Sequence, residues 1–442
     1  MRRVLNSLEP MLPPTWETPF RLDADLARSL AETWGTPLYV LDEATLRYRA
    51  QRYHEALAAS TPSYSLTYAS KANSTFAVLA ILAQEGCTID CASEGELEAA
   101  RRAGVPASSC NLHGNNKPRQ ALETACERGI HEIIVDSYTD IDHLIAIQRA
   151  GGQVPDLLIR LAPGVNPKTH VWISTGQSET KFGFQIADGA AEAAVKRMLD
   201  GGLPLRGVHC HVGSQLLDSD SQVQGGIAIA AFAVRMAQLH RMPLERVNIG
   251  GGLGVQYSDE DNPIALQQYC LEIAQAVRAV CEPYGYSPAL VHEPGRSMVS
   301  HACVSLYTLG EKKFAPVHKY WSVDGGLSDN PRPALYDARY SVEVVGRDGP
   351  TETVTVSGSH CEVDELFADV SLPVSSQAGD LLQVLSTGAY NASMASNYNR
   401  FCRPAAVLRR LDGSVELVQT RETHDQLFAR EVLPNDLRSE PC

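Results

Sequence analysis

The chain has 442 residues, 44% hydrophobic and 20% charged, with a formal net charge of −14. That length exceeds one small core and predicts two or three domains unless one is a large barrel, while the acidic balance excludes the basic stripe that nucleic acid or an anionic membrane needs. Eleven cysteines without framework spacing or a Cys-x-x-Cys pair, and no apolar run near the roughly 20 residues of a membrane span, predict free thiols, no metal site and a cytoplasmic location.

A polar lead and a helical segment over 23–34 end at the turn Gly35-Thr36-Pro37. Leu38-Tyr39-Val40-Leu41 reads as a short strand, and Asp42 as the cap of a helix running to about Ala59. A regular alternation follows. Strand-like runs end near Ser70, Ala92, Gly114, Ser137, Leu161, His211, Gly250 and Glu293, separated by helical stretches over 75–85, 94–103, 119–128, 140–150, 189–200, 221–240 and 264–284. Eight strand-then-helix units over roughly 250 residues predict an α/β fold, a closed (β/α)₈ TIM-type barrel. An insertion over 164–184, after the fifth strand, is expected on the barrel's top face.

Beyond Ser300 the texture changes to short β-rich runs over 303–309, 340–345, 352–356, 380–384, 405–411 and 415–419. Helical segments become rare there, so a C-terminal all-β domain, sandwich-like or barrel-like, is expected. The expected division is a barrel over 36–300, with 1–35 and 301–442 forming the β-domain and dimer contacts. The polar tail after Gln419 is left open between helix and disorder.

Catalytic groups of such a barrel collect at the C-terminal strand tips. Here those tips carry Lys71, Asp90, His113, Asp136, Arg160, His209 with His211, the run Gly250-Gly251-Gly252, and Glu293. A lysine at a strand tip can be an exposed residue opening a helix, but its amine also suits a Schiff base with an aldehyde. The triple glycine lets backbone N–H groups approach an anion, and Gly295, Arg296 and Ser214 add a second donor loop, a charge and a hydroxyl. Singly, His211 can be a core histidine and Glu293 a salt-bridged strand end. Jointly, amine, anion cradle, carboxylate and imidazole match what pyridoxal 5'-phosphate requires.

Ten stretches then carry a resemblance: Tyr-Ala-Ser-Lys-Ala-Asn (68–73), Asp-Cys-Ala-Ser-Glu-Gly-Glu-Leu (90–97), His-Gly-Asn-Asn-Lys (113–117), Thr-Lys-Phe-Gly-Phe (180–184), His-Cys-His-Val-Gly-Ser-Gln (209–215), Gly-Gly-Gly (250–252), Glu-Pro-Gly-Arg (293–296), Arg-Pro-Ala-Leu-Tyr-Asp-Ala (332–338), Cys-Glu (361–362) and Gly-Ala-Tyr (388–390). Together they resemble the fold-type III pyridoxal-phosphate decarboxylases, and within them the branch acting on diaminopimelate. The resemblance implies a homodimer with shared active sites and an amino-acid substrate, meso-2,6-diaminopimelate, converted to L-lysine and carbon dioxide. It implies Lys71 as the Schiff-base lysine, His211 on the ring face, Glu293 at the ring nitrogen, and Asp90 beside them. Ser214, Gly250, Gly251, Gly252, Gly295, Arg296 and Tyr390 would hold the phosphate and its surroundings. Cys361 would be the proton donor, reaching the neighbouring site with Glu362, while Arg296, Arg332, Tyr336, Glu362 and Tyr390 would bind substrate.

Departures concern the loop 358–365: the aspartate that the family usually places three positions after Cys-Glu is Glu365 here, with Asp364 one earlier, and Gly358-Ser359-His360 replaces the commoner Gly-Pro-x. The same chemistry on ornithine, lysine, arginine or a natural-product substrate therefore stays open, as does a non-catalytic regulator of the same fold. A regulator would be expected to have lost Lys71, Cys361 or part of the cradle, and this chain keeps them.

Overall fold

A computed structural model describes residues 14–165, 181–316 and 318–437. Eight parallel strands, Tyr64–Ala69, Thr88–Cys91, Cys110–Leu112, Glu132–Val135, Asp156–Ala162, Leu205–His209, Arg246–Asn248 and Ala289–His292, form one ring. The ring closes where the last strand pairs with the first, Leu290 opposite Tyr64. Seven of the intervening segments carry the long helices Phe76–Gln84, Glu94–Arg102, Arg119–Arg128, Tyr138–Arg149, Ala190–Asp200, Asp220–His240 and Leu266–Cys281. The expected barrel and its strand ends are therefore present.

The local reasons are ordinary ones. Ser93 and Ser137 open their helices by accepting from the N–H of Glu96 and Asp140, supplying donors' partners that a helix start lacks. Strands covered on both faces read as apolar runs, and Asp156–Ala162 is buried from Leu157 onward. Arg160 interrupts that run and also lies buried, so it points into the barrel. Of the insertion over 164–184, residues 166–180 lie outside the described residues, and Phe184–Gln185 adds a two-residue strand beside Leu161 and Ala162.

A second sheet has the order Glu365–Pro373, Thr351–Ser357, Lys319–Val323, Cys303–Phe314, Leu38–Asp42, Ala405–Arg409, Val415–Gln419, with Leu381–Val384 also paired to Cys303–Phe314 and Val342–Val344 paired in turn to Leu381–Val384. The strand Leu38–Asp42, expected inside the barrel's share of the chain, is central to this sheet. It pairs antiparallel with Cys303–Phe314 and parallel with Ala405–Arg409, so the barrel begins only after Asp42. Its residues alternate: Leu38 and Val40 pack with Phe20, Leu26 and Leu30, whereas Tyr39 and Leu41 join the barrel core. A strand sandwiched in this way shows no polar face, so its sequence does not reveal which sheet it enters.

Two strands of this sheet were not foreseen. Lys319–Val323 is short and mixed, and Glu365–Pro373 is bent by register shifts against Thr351–Ser357 and by Asp369 at φ +53°, so neither shows a clean period of two. Asp42 accepts from Thr45 N–H at 2.8 Å and opens the helix Glu43–Ser60, while Arg409 and Arg410 reach back to Asp42 and Glu43. These contacts pin the barrel's first helix to the last strands. The tail after Gln419 contains a helix, His424–Phe428, started by a Thr423–Gln426 capping box. Among the described residues, no helix is long and apolar enough to cross a membrane.

Candidate active site

Because all eight strands run parallel, their C-terminal tips meet at one end, where a narrow cavity of ≈ 40 Å³ is lined by Lys71, Asp90, His113, Arg160, His209, His211, Glu293 and others. It adjoins a wider cleft of ≈ 340 Å³ that shares Lys71, Asp90, His211, Ser214, Arg296 and Tyr390 and adds Arg332, Tyr336 and Met394. Lys71 sits in a single 3₁₀ turn, Ser70–Ala72, just past the first strand. Its exposed amine reaches both spaces.

Glu293 follows the last barrel strand and is buried. One carboxylate oxygen accepts from Asn248 Nδ2 at 2.7 Å and His113 Nε2 at 3.1 Å, the other from His209 Nε2 at 3.1 Å. A carboxylate only accepts, so both imidazoles carry their proton on Nε2. Burial alone would raise the Glu293 pKa, but His113 and His209 outweigh it and hold the group well below the usual carboxylate range. Three of about four acceptor positions are taken. The fourth can receive one further N–H, as from a protonated pyridine ring.

The surroundings are electrostatically sorted. Burial drives His211 well below its ordinary value, helped by the Lys71 ammonium, so it presents a neutral imidazole. Asp90 is pushed up to about 6 by burial, against the pull of His113 and Lys71. Its Oδ1 is buried without a hydrogen-bond partner, 3.6 Å from His113 Nε2, and stands toward the same cavity.

Opposite, the backbone makes a cradle. A Cβ on Gly251 would meet the Glu293 carbonyl oxygen at 2.1 Å, and one on Gly252, at φ +144°, would meet Leu216 and Gly213 within 3 Å. Only glycine fits there. Gly250 stands one step behind: its N–H donates to Asn248 Oδ1 at 2.9 Å, and it does not line the cavity. Gly295 and Arg296 complete the wall. Arg296 donates to Ser214 Oγ from Nε and Nη2, at 3.2 and 3.0 Å, and to Tyr257 OH from Nη1 at 3.0 Å.

Arg332 enters from the second sheet's side and donates to Tyr340 OH at 2.5 Å. Tyr340 in turn donates to Asn391 Oδ1, whose Nδ2 bonds Asn330. Both guanidiniums are buried and lie over the Tyr257 ring, at 5.8 and 4.8 Å from its centroid. Neither forms an ion pair with a described carboxylate. Burial would raise the Tyr257 pKa, yet the two guanidiniums bring it down to about 8. Paired buried cations without anions ask for an anionic ligand. An amine for an aldehyde, an ionised carboxylate with one acceptor position left, and a cationic cradle that excludes side chains together fit pyridoxal phosphate.

Tyr390, at φ +63°, donates its N–H to Ala72 O at 2.8 Å and lies 4.9 Å from the Arg296 guanidinium. Cys361 and Glu362, like Gly250, are anticipated residues absent from the cavity. Cys361 and Glu362 are exposed: Cys361 N–H bonds Asn399 Oδ1 at 2.8 Å, and Glu362 accepts from Tyr398 OH. Asn248, Tyr257 and Tyr340 had not been singled out. Asn248 ends the seventh strand and was open to the same tip argument, whereas Tyr257 and Tyr340 owe their place to packing between distant segments.

Residues 43–300 match the family described as pyridoxal-dependent decarboxylase, pyridoxal binding domain. The chain is 40% identical over 404 residues to the diaminopimelate decarboxylase of Bacillus subtilis, covering 90% of this chain and 92% of that one. It is 41% identical over 429 residues to that of Synechocystis, covering 93% and 90%. Among solved structures, diaminopimelate decarboxylase from M. jannaschii in complex with L-lysine superposes with a TM-score of 0.87 at 34% identity, over 93% of this chain and 95% of that one. The Helicobacter pylori enzyme complexed with L-lysine gives 0.82 at 28% identity, over 91% and 98%.

Proposed function

Since the chain belongs to the pyridoxal-dependent decarboxylase family, we propose that it removes one carboxyl group from meso-2,6-diaminopimelate and releases L-lysine and carbon dioxide. The observation that carries the choice of substrate is the pair of buried guanidiniums, Arg296 and Arg332, facing the Lys71 cleft without a described carboxylate. Diaminopimelate has a second carboxylate to offer them. Ornithine or lysine does not, and would leave a buried charge unpaired at a cost of about 1–3 kcal/mol or more.

When bound, pyridoxal phosphate supplies an aldehyde that condenses with an amine and a ring that accepts the electron pair left as carbon dioxide departs. Lys71 would provide the amine that holds the aldehyde. Glu293, kept ionised by His113 and His209, would face the ring nitrogen and keep it protonated. His211 bounds the cavity with an uncharged ring, and Gly251, Gly252, Gly295, Ser214 and Arg296 receive the phosphate. Arg332, with Tyr336, addresses the distal carboxylate.

The carbon that loses carbon dioxide must gain a proton. We assign that to the Cys361 thiol, a side chain that can act as a general acid. Cys361 and Glu362 lie on the surface of their own chain, outside the Lys71 cavity. Their roles therefore call for a homodimer in which each chain lends them to its partner's site, a cytoplasmic enzyme of small-molecule metabolism.

The test is product formation by the purified, cofactor-loaded protein on meso-diaminopimelate, ornithine, lysine and arginine. Lysine from diaminopimelate alone is expected, with Lys71→Ala losing both the imine absorbance and turnover. Turnover of ornithine in preference to diaminopimelate would overturn the substrate, and turnover by Lys71→Ala the chemistry.

A further inference from the structure

The loop that departs from the family pattern has a construction of its own. Asp364 takes φ +40°, a conformation that a residue with a Cβ adopts at a cost. Its carboxylate is enclosed: Oδ2 accepts from His360 Nδ1 at 2.7 Å and from His360 N–H at 3.2 Å, and Oδ1 accepts from Leu327 N–H at 2.9 Å. The Asp364 carbonyl accepts from Gly358 N–H at 2.8 Å. Both side chains are essentially without solvent contact, at 0% and 1%. Space is cleared for them by glycine, since a Cβ on Gly358 would lie 1.9 Å from Asp364 Oδ2 and one on Gly326 would lie 2.2 Å from His360 Nδ1.

This pair closes a short arc. Positions 360 and 364 are tied together underneath, and the three residues between them, Cys361, Glu362 and Val363, are all exposed, Val363 at 80%. The tie extends sideways. The His360 ring packs 4.5 Å from Phe401 and lies near-parallel to Tyr398, at 14° and 6.0 Å. Tyr398 OH donates to Glu362, and the neighbouring Asn399 accepts from Cys361 N–H at 2.8 Å. His360 Nε2 is buried with no hydrogen-bond partner among the described residues, so the ring is held by Asp364 and by its aromatic neighbours.

We infer that His360 and Asp364 are positioning residues that lock Cys361 and Glu362 in the projecting arrangement in which they enter the neighbouring active site. A conformation with positive φ is retained where its surroundings, here the buried His360–Asp364 hydrogen bond among them, over-determine it. Here it presents a thiol and a carboxylate on a rigid arc, and misplacing a reacting group by about 1 Å can cost about a hundredfold in rate. The inference rests on the reading of Cys361 as proton donor.

The test compares Asp364→Gly, His360→Phe and Cys361→Ala with the parent enzyme. Glycine accepts φ +40° without strain, and phenylalanine keeps the packing against Tyr398 and Phe401, so at least one variant should fold. Asp364→Gly and His360→Phe are expected to lower kcat by about tenfold to a hundredfold with little change in KM for diaminopimelate. The solvent deuterium isotope effect on kcat should rise as proton delivery becomes limiting. In the cofactor-free proteins, hydrogen exchange of the peptide 358–365 should speed up. A loss of folded protein alone would lower the active fraction without moving the isotope effect. Faster exchange with unchanged kcat and isotope effect would overturn the inference, while full turnover by Cys361→Ala would instead overturn the proton-donor reading beneath it.

Discussion

Tyr257 separates two buried positive charges with one ring. The Arg296 and Arg332 guanidiniums lie over it, Arg296 bonds its hydroxyl, and Arg332 is fixed by Tyr340. Each cation is thus held without a carboxylate that would compete with a ligand. Replacing Arg332 by alanine should lower kcat/KM for diaminopimelate about tenfold to a hundredfold, mainly through KM, since about 1.5–3 kcal/mol is typical of a lost charged hydrogen bond. Steady-state kinetics on diaminopimelate and ornithine check this, because an enzyme built for ornithine would scarcely respond. Lys71, Glu293 and Arg296 were legible in the sequence because each stands at a strand tip, a place that topology alone makes chemical. Tyr257 was not legible, for nothing in its own neighbourhood tells that two arginines from different domains will meet on it.

The strand Leu38–Asp42 joins two cores by sending alternate side chains to opposite sides. Leu41→Ala should therefore cost about 2–5 kcal/mol, read from chemical denaturation, and should loosen the contact between sheet and barrel more than either alone. The barrel was readable because its eight strand–helix units repeat one rhythm, and the second sheet was readable only in outline. Glu365–Pro373 escapes because bulges break its alternation, and Leu38–Asp42, counted within the barrel's share of the chain, was not assigned to the second sheet because a strand with no polar face carries no directional signal. The loop 358–365 was flagged for its departures, yet its use of a left-handed aspartate could be seen only in coordinates.

For the molecule as a whole, protons set the acid limit. Burial holds His209 at about 4 and His292 at about 3, and drives His211 and His301 well below 6.5. In the unfolded chain each regains a value near 6.5. Between about pH 6.5 and pH 4 the unfolded state binds more protons, so stability is present above that range and is lost as pH falls. His113, raised because Asp90 and Glu293 outweigh its burial, moves the other way, and so do the buried carboxyls of Asp90, pushed up to about 6, and of Glu132 and Asp329, pushed up to about 7; all of these oppose the loss. Because His292→Phe removes one of the histidines that must stay neutral, scanning calorimetry should show its Tm rising relative to the parent as pH falls from 7 to 5. Assembly is tested by mixing two inactive variants, Lys71→Ala and Cys361→Ala. If sites are shared, random reassociation should restore up to about a quarter of the parent activity, because a mixed dimer has one site carrying both lesions and one carrying neither. No recovery after proven exchange would place both residues in one chain's own site.

The parallel pairing of Leu38–Asp42 with Ala405–Arg409 spans 367 positions of the chain. On a ribosome adding about 5–20 residues each second, the early strand waits roughly 20–70 s for that partner. The barrel has emerged by then, so during synthesis a finished catalytic scaffold carries beside it a greasy ribbon with an unclaimed edge. Such an edge recruits other nascent chains as readily as its own. Messages truncated before codon 405 should therefore yield aggregates, even though every strand of the barrel has been made.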